Sequence, residues 1–434
     1  MSFAGRWAAL PLAVLLLGCR SHPSDTIAID FWAMGREGEV VQELLAEFER
    51  YNPGIHTRVQ QIPWSAAHEK LLTAFVGDAM PDIVQVGNSW IPEFVALNAV
   101  EPLDTRMRSS ATVAVADYFP GILDTNVISG HTYGVPWYVD TRLLFYRTDS
   151  LTRSGFGEPP TTWSAWIEVM SRIKASSPDN YAILLPLTEW QMPVILALQL
   201  GADLLRDDDQ YGDFRSAAFR HAFTFYLDLF RRGLAPQTGE AQVANLYQDF
   251  TNGFFAMYVS GPWNIGEFER RLPESMAGKW GTAPLPGPGV GRPGVSIAGG
   301  ASLALFRGGR HKDAAWKVIE YLSQPEQQLA FYRLTGDLPA RRSAWRSEAL
   351  AQNPSTQAFW QQLQHVRSTP KIPEWERIAD KISAYAESAI RERMTPEAAL
   401  GALDTDVDAI LEKRRWLRRR AVSAAAHHAP DEGS

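Results

Sequence analysis

Apolar residues change their spacing several times in the first quarter of the chain. Residues 27–31 alternate with a period of two, as in a strand, and residues 40–48 then repeat at helical spacing. Residues 55–62 alternate again, 71–76 form a second helical face, and 83–86 form a short apolar strand. This order of elements predicts βαβ units, and hence a parallel sheet with right-handed crossovers.

A second alternation of strands and helices begins near Asp140. Its expected strands are at 143–147, 252–259 and 302–306. Its expected helices are one that Thr162 caps, a mostly helical stretch at 190–233, helices at 313–322 and 325–334, and most of the chain after 339. A Gly/Pro-rich loop is expected at 284–294. The fold class is therefore predicted to be α/β. In parallel sheets, ligands bind beyond the carboxyl ends of the strands, which fall here at 32–37, 63–64 and 87–90.

The chain begins with a pattern typical of exported proteins. One positive charge precedes an apolar run at 8–17, which is shorter than the roughly 20 residues that span a bilayer. The run ends in Leu16-Leu17-Gly18-Cys19, which resembles the bacterial lipobox, in which the Cys is lipidated and becomes the new N-terminus. We therefore expect a signal peptide at 1–18 and a lipidated tether at 19–26. Cys19 is the only Cys; the alternative is a chance Cys beside a signal that is cut elsewhere.

Composition narrows the possible partners. Apolar residues make up 45% of the 434 positions, which is enough for large packed cores. The formal charge of −7 gives no basis for nucleic-acid binding, so we expect no nucleic-acid partner. The 15 Trp residues favour aromatic surfaces for a ligand with flat apolar faces, such as a sugar. Packing in the core is the alternative for most of them.

The sequence lacks the short motifs of common enzymes. It contains no G-x-S-x-G, no H-E-x-x-H and no phosphate-binding loop, and its His residues are scattered. Acidic residues are abundant, but no spacing singles out a pair suited to glycoside hydrolysis. We therefore predict no catalytic residue, no metal site and no cofactor.

The C-terminal region is strongly basic at 413–420. Contact with anionic lipid is one interpretation of such a segment. A solvated helix end followed by a disordered tail, at 416–434, is the interpretation that we favour.

Several short motifs occur in a specific order along the chain. They include Asn52-Pro53-Gly54-Ile55, Met80-Pro81-Asp82-Ile83-Val84, Tyr133-Gly134-Val135-Pro136, Gly261-Pro262-Trp263-Asn264 and Gly299-Gly300. In this order, from about residue 27 to about 414, the chain resembles the family 1 extracellular solute-binding proteins of ABC importers, the maltose/trehalose-type sugar-binding lipoproteins.

The resemblance implies a type II-like periplasmic binding protein fold. Such a fold has two discontinuous α/β domains, or lobes, joined by hinge segments, with a ligand cleft between them. Lobe one would comprise 27–139 and 300–338, and lobe two 141–298 and 340–415. The chain would cross between the lobes near 138–142, 297–301 and 337–342.

The strand ends and the resemblance together assign a set of ligand-binding residues. They are Trp32, Glu37, Glu39, Gln61, Trp64, Asn88, Ser89, Tyr138, Asp140, Trp263, Asn264, Gly299, Gly300, Arg367 and Trp375. The resemblance implies that Trp263 and Tyr138 are aromatic contacts to the sugar and that Asp140 accepts hydrogen bonds from its hydroxyls. Glycines at 299 and 300 fit a close approach of backbone to ligand.

Each assignment has a structural alternative. For Trp263 and for Trp375, the alternative is packing in the core. For Asp140, the alternative is to cap a local turn. Only one of Glu37 and Glu39 is expected to face the cleft, and either also suits a helix N-terminus. The remaining alternative is a surface ion pair for Arg367. Two departures from the family pattern put the exact sugar in doubt: Asn88 or Ser89 replaces an Asp, and Ala301 replaces a Trp.

The predicted function is capture of a sugar by closure of two hinged lobes, without covalent chemistry. The expected partners are a carbohydrate ligand, the membrane-embedded permease subunits of an ABC importer, and the membrane through the lipid anchor. The expected location is exported and lipid-anchored, in the periplasm or on the outer face. The sequence leaves open a sugar-sensing lipoprotein, a binder of a non-sugar solute such as a polyamine, and, as the weakest alternative, an enzyme acting on glycosides.

Overall fold

A computed structural model describes residues 26–238 and 245–427 of the chain, with side chains as far as residue 420. The predicted signal peptide, Cys19 and all but the last residue of the predicted tether lie outside the described residues. Within the described ranges, none of the helices has both the length and the hydropathy needed to cross a membrane.

The strands alternate with helices over most of the chain. The strands are β1 (Ile27–Met34), β2 (Ile55–Ile62), β3 (Ile83–Gly87), β4 (Val127–Ile128), β5 (His131–Thr132), β6 (Val135–Asp140), β7 (Leu143–Arg147), β8 (Tyr181–Leu184), β9 (Leu205–Arg206), β10 (Tyr211–Gly212), β11 (Phe255–Ser260), β12 (Trp280–Ala283), β13 (Ser296–Ile297), β14 (Gly299–Leu305), β15 (Leu338–Pro339) and β16 (Val366–Arg367).

The helices carry most of the remaining residues. They are α1 (Gly35–Tyr51), α2 (Trp64–Val76), α3 (Ile91–Ala96), α4 (Asp104–Ser109), α5 (Pro120–Asp124), α6 (Thr148–Arg153), α7 (Trp163–Ser176), α8 (Gln191–Gln199), α9 (Ala217–Arg231), α10 (Leu246–Asn252), α11 (Trp263–Arg271), α12 (Lys312–Leu322), α13 (Pro325–Thr335), α14 (Glu348–Ala351), α15 (Pro354–Leu363), α16 (Trp375–Ile390), α17 (Pro396–Ile410) and α18 (Glu412–His427).

A six-stranded sheet forms the first lobe, in the order β15-β6-β14-β3-β1-β2. Strand β1 pairs in parallel with β2 and β3, as the βαβ pattern predicts, whereas β14 runs antiparallel to β3 and β6. The predicted apolar face of α1 is buried, from Val40 to Phe48. Asn52 ends this helix, since its side-chain amide donates to the Phe48 carbonyl at 3.0 Å.

A four-stranded sheet, in the order β12-β7-β11-β8, forms the second lobe. Strand β7 is antiparallel to both of its neighbours, and β8 is parallel to β11. Helix α7 begins where the sequence predicts, because the Thr162 hydroxyl accepts from the Ala165 backbone N–H at 3.2 Å. Large aromatic residues such as Trp166 and Phe219 fill the core of this lobe.

The chain passes between the two sheets at neighbouring positions. Strand β6 of the first sheet continues into β7 of the second through Thr141 and Arg142 alone. Strands β14 and β15 both lie beside β6. The crossing segments therefore lie side by side, which is the arrangement expected of a hinge. The predicted fold class is confirmed, while the exact limits of the lobes stay predictions.

Three local expectations need correction. The strand predicted at 252–259 starts later, at Phe255, because Gly253 adopts a left-handed conformation (φ 77°) that ends α10. A short hairpin, β9 and β10, interrupts the largely helical stretch predicted at 190–233. Its turn uses Asp207, Asp208 and Asp209 at positive φ, a conformation that Asp tolerates better than most residues.

The C-terminal tail is the third correction. The tail predicted to be disordered at 416–434 is helical as far as His427, in α18. Arg414 and Arg415 on its inner face bond to Glu374 and to the backbone carbonyls of Gln210 and Asp408, which explains why the helix continues. Residues 428–434 lie outside the described ranges.

Candidate ligand-binding site

A cavity of about 590 Å³ lies between the two sheets, beside the crossing segments. Its lining residues are Arg36, Glu37, Trp64, Tyr138, Asp140, Tyr247, Trp263, Glu267, Arg271, Gly300, Thr335 and Asp337. Both lobes contribute, since Glu37 and Trp64 follow strands of the first sheet and Trp263 follows β11 of the second. A depression of about 660 Å³ on the outer face between α1 and α12 contains none of the predicted site residues.

Glu37 stands at the centre of a hydrogen-bond network on the first lobe. Its Oε1 accepts from the Tyr138 hydroxyl at 2.7 Å and from the Trp64 indole Nε1 at 3.2 Å. The Tyr138 hydroxyl in turn accepts from Gln85 Nε2 at 3.1 Å. Burial raises the pKa of Glu37, although these bonds counteract it. The network fixes one carboxyl group and two aromatic rings at the cavity wall.

Asp337 is a second buried acid at the cavity, directly before β15. Helix α13 ends at Thr335, and Gly336 (φ 88°) reverses the chain so that Asp337 enters the crossing segment. Its backbone N–H donates to the Thr335 hydroxyl at 3.0 Å. Burial, and then the charge of Glu37, hold the pKa of Asp337 well above its ordinary value.

Asp140 and Arg142 form an ion pair next to Trp263. Arg142 Nη1 donates to both carboxylate oxygens of Asp140, at 2.9 and 3.1 Å. The guanidinium of Arg142 also lies over the Trp263 ring, 4.7 Å from its centroid. Despite Arg142, burial raises the pKa of Asp140. This group joins a hinge residue of the first sheet to an aromatic residue of the second lobe.

Two glycines make room for the site. Gly300 has φ 134°, and a Cβ there would overlap the Tyr138 carbonyl oxygen, so another residue would displace the paired hinge strands. Gly35 has φ 51°, and a Cβ there would lie 2.8 Å from the Trp64 ring and 2.9 Å from Glu37 Oε2. Both positions therefore need Gly for Tyr138, Trp64 and Glu37 to keep their places.

The structure brings six of the predicted site residues to this cavity. They are Glu37, Trp64, Tyr138, Asp140, Trp263 and Gly300. Glu37 rather than Glu39 faces the cavity, because Glu39 points to solvent and lies 3.9 Å from Arg36 Nη1. Whether these six residues contact a ligand stays a prediction.

Three predicted site residues belong instead to the protein core. Asn88 is buried, and its Oδ1 accepts from the Ser302 hydroxyl at 2.8 Å. Asn264 is buried because it follows Trp263 on α11 and therefore points about 100° away, where it donates to Ser260 Oγ at 2.6 Å. Trp375 is fully buried and packs edge-to-face on Trp190, with centroids 5.4 Å apart.

Other predicted site residues lie near the cavity without lining it. Gln61 donates to the Gly35 carbonyl at 2.7 Å, and so supports the turn before Glu37. Gly299 pairs with Asp140 between β14 and β6, and a Cβ there would lie 3.1 Å from the Asp140 carbonyl oxygen. The Trp32 ring lies under the Lys70 ammonium, which is 5.0 Å from its centroid.

Ser89 and Arg367 also lie outside the cavity lining. Ser89 hydrogen-bonds Glu376, whose pKa is raised mainly by burial. Arg367 is half-exposed and lies 3.6 Å from Asp203, which agrees with the alternative of a surface ion pair.

Sequence reasoning missed half of the cavity lining. The missed residues are Arg36, Tyr247, Glu267, Arg271, Thr335 and Asp337. Asp337 could have been found, because it opens the third predicted crossing segment. Tyr247 and Arg271 lie on α10 and α11, in stretches that carry no local signal. Arg271 forms an ion pair with Glu267, and its guanidinium is 5.0 Å from the Tyr247 ring centroid.

We expect Asp337→Asn to stabilise the ligand-free protein at neutral and alkaline pH. The pKa of Asp337 is raised on folding, from an unfolded value of about 3.9. Ionisation therefore costs stability as the pH rises from the unfolded to the folded pKa, and the whole cost is present above the folded pKa. Asn does not ionise, so its advantage should vanish toward about pH 4 and should grow as the pH rises through neutral to alkaline values.

Thermal unfolding at several pH values measures this difference. The matched control is Asp179→Asn, an exposed residue on the second lobe, for which we expect no such pH-dependent gain. An Asp337→Asn variant that is less stable than the unmodified protein at pH 8 would contradict the assignment of Asp337 as a buried, unfavourably ionised group.

The described residues do not include three or more His, Cys, Asp or Glu side chains arranged to hold a metal ion. The lining instead combines aromatic faces with hydrogen-bonding groups. Such a surface suits an organic ligand that has apolar faces and several polar groups.

The chain is similar to known solute-binding proteins over most of its length. The family model for bacterial extracellular solute-binding proteins matches residues 33–329. A solved structure, the sugar-binding protein MalE from Xanthomonas citri, is 51% identical with a TM-score of 0.86, and the match covers 90% of this chain and 99% of that chain.

Two curated relatives match nearly as far. A putative binding protein of Brucella abortus is 28% identical over 384 residues, which are 87% of this chain and 91% of that protein. The diacetylchitobiose-binding protein DasA of Streptomyces coelicolor is 23% identical over 391 residues, which are 88% of this chain and 89% of that protein. Together with the two-sheet fold and its cavity, these matches show that the chain belongs to the family of bacterial extracellular solute-binding proteins.

Proposed function

We propose that this protein is the substrate-binding component of an ABC importer and captures a di- or oligosaccharide in the cavity beside the hinge. The observation that carries the proposal is the cavity itself, in which aromatic rings from both lobes surround hydrogen-bonding side chains. The names of the relatives agree with it, since one is a sugar-binding protein and another binds diacetylchitobiose.

The lining matches the chemistry of a sugar. A sugar ring offers C–H groups on its faces and hydroxyls around its edge. Trp64, Trp263 and Tyr247 provide flat apolar surfaces for the faces. Glu37 and Asp140 are fixed by their own hydrogen bonds and keep further acceptor positions for hydroxyl donors.

Capture would work through hinged closure of the lobes, with no bond made or broken in the ligand. We propose lobe limits of 27–139 with 300–338 and of 141–298 with 340–415. Because the ligand contacts both lobes only when they are close together, it favours the closed form. A change from mostly open to mostly closed needs about 5.5 kcal/mol of differential binding. A few hydrogen bonds to charged groups, at about 1.5–3 kcal/mol each, together with ring burial, are sufficient.

Export and anchoring complete the proposal. Cleavage before Cys19 and lipidation of its thiol would hold the protein at the membrane, on the periplasmic or outer face. A short tether from Cys19 to β1 would then keep the closed form near the permease subunits. Stable anchoring needs more than one acyl chain, because each buried CH₂ contributes about 0.8 kcal/mol.

A thermal-shift screen tests the proposal. The mature protein is heated alone and with each member of a panel of mono-, di- and oligosaccharides, with polyamines as non-sugar solutes. A sugar present at 100 times its Kd should add about 2.7 kcal/mol to the free energy of unfolding. A panel in which no sugar raises the melting temperature, or in which only polyamines do, would contradict the proposal. Recovery of the unchanged sugar after incubation excludes turnover.

A further inference from the structure

The charged groups around the cavity are unequally compensated. Four acids line it, namely Glu37, Asp140, Glu267 and Asp337, together with two arginines, Arg36 and Arg271. The charge that a ligand meets depends on which of these groups already have a partner of opposite charge.

Two of the four acids are neutralised within the protein. Asp140 pairs with Arg142, as described above, and Glu267 pairs with both Arg270 and Arg271. The other arginine of the lining, Arg36, donates from Nε to the Leu334 carbonyl at 3.2 Å and lies near Glu39 outside the cavity. These cations are therefore committed to partners other than Glu37 and Asp337.

Glu37 and Asp337 have no such partner. Neither belongs to any ion pair in the part of the chain that the structure describes. Both residues are more than nine-tenths buried, with exposed fractions of 8% for Glu37 and 5% for Asp337. The hydrogen bonds to the Glu37 carboxyl come from neutral donors, Tyr138 and Trp64. The two acids line the same cavity, and the charge of Glu37 contributes to raising the pKa of Asp337.

A pair of buried, uncompensated carboxyl groups is costly unless a ligand supplies the missing charge. A sugar hydroxyl can donate one hydrogen bond to a carboxylate but brings no charge. An ammonium group donates three hydrogen bonds and brings the positive charge that the pair lacks. Trp64, Trp263, Tyr138 and Tyr247 add aromatic rings around the same space, and such rings also attract cations.

We propose that the cavity prefers saccharides that carry a protonated amine, and that Glu37 and Asp337 bind the ammonium group together. This inference rests on the proposed function and specifies the class of sugar that the site selects. It assigns Asp337, which sequence reasoning missed, as a residue that determines specificity.

Isothermal titration of the mature protein with matched disaccharides tests the inference. The probes are cellobiose and the β-1,4-linked glucosamine disaccharide, and trehalose and its 2-amino analogue, at a pH of about 6, where the amines are protonated. Within a pair that binds, we expect the amine to bind about fivefold more tightly or better. Asp337→Asn and Glu37→Gln should each reduce this preference to within about twofold, whereas the exposed control Glu39→Gln should keep it.

The outcomes separate this inference from the proposed function. Equal or tighter binding of the neutral sugar in every pair that binds would overturn the inference and leave sugar capture intact. Failure of both amines to bind, while any neutral sugar of the thermal panel does, would also overturn it. If no sugar binds at all, the proposed function fails and the inference with it. Thermal unfolding of the variants shows that a lost preference does not reflect a lost fold.

Discussion

Replacing Asp140 with Ala is expected to lower the free energy of unfolding by about 3 kcal/mol. The change leaves Arg142 as a buried guanidinium without its counter-ion, and removing one partner of a buried ion pair typically costs about 3–5 kcal/mol. The side chains of Arg142 and Asp140 are only 10% and 25% exposed, so water can replace little of the interaction that the Arg142 charge loses. Arg142 Nε is already buried without a hydrogen-bond partner among the described residues.

Denaturant unfolding of the ligand-free protein gives the measurement, with two further variants as controls. Asp313→Ala removes a similar Asp–Arg pair, with Arg106 at 2.8 Å, but its carboxylate is exposed, so a loss of about 1 kcal/mol or less is expected. Adding Arg142→Met to Asp140→Ala removes the orphaned charge and should restore part of the stability. An Asp140→Ala variant no less stable than Asp313→Ala would show that the hinge pair is not effectively buried.

The local pattern of the sequence was sufficient to predict the first strands and helices of the six-stranded sheet. The alternation in β1 and β2 and the helical spacing in α1 appear directly in the observed elements, because one buried face fixes the periodicity of each. The ends of these strands gave Glu37 and Trp64, since parallel strands place their carboxyl ends at one edge of the sheet. Tyr138, Asp140 and Trp263 were predicted from the family resemblance, which implies a complete fold and not only local elements.

The errors have a common physical origin. Sequence position identifies a segment near the cavity but not which of its side chains points into it, so Asn264 and Trp375 were assigned to the ligand although both are buried in the core. The reverse error affected Asp337 and Tyr247. Asp337 was marked only by its place at the start of a predicted crossing segment, whereas a single Tyr in a helix gives no sign that Tyr247 approaches residues far away in the chain. The charge balance of the site likewise depends on ion pairs that form only in the folded chain, such as the pair between Asp140 and Arg142.

Replacing Trp263 with Ala is expected to weaken binding of the best sugar at least tenfold, or by about 1.4 kcal/mol. Trp263 begins α11 after the Gly261-Pro262 turn, and a Cβ at Gly261 would overlap its ring, so the indole has one well-defined position at the cavity. Arg142 covers one face of the ring. The part that lines the cavity is available for stacking on a sugar, and Ala would remove that surface.

Calorimetric titration of the mature Trp263→Ala variant measures this loss, and Trp416→Ala is the matched control. Trp416 lies on α18, is 47% exposed and is not among the residues that line the cavity, so its replacement should leave the Kd unchanged. Because Trp263 is half-buried, the melting temperature without ligand must be compared as well. A tenfold loss of affinity with a preserved fold places the indole against the sugar. An unchanged Kd together with a large loss of stability would instead assign Trp263 to packing beside the hinge. The cavity would then have to bind its ligand through Trp64 and the acids of the first lobe.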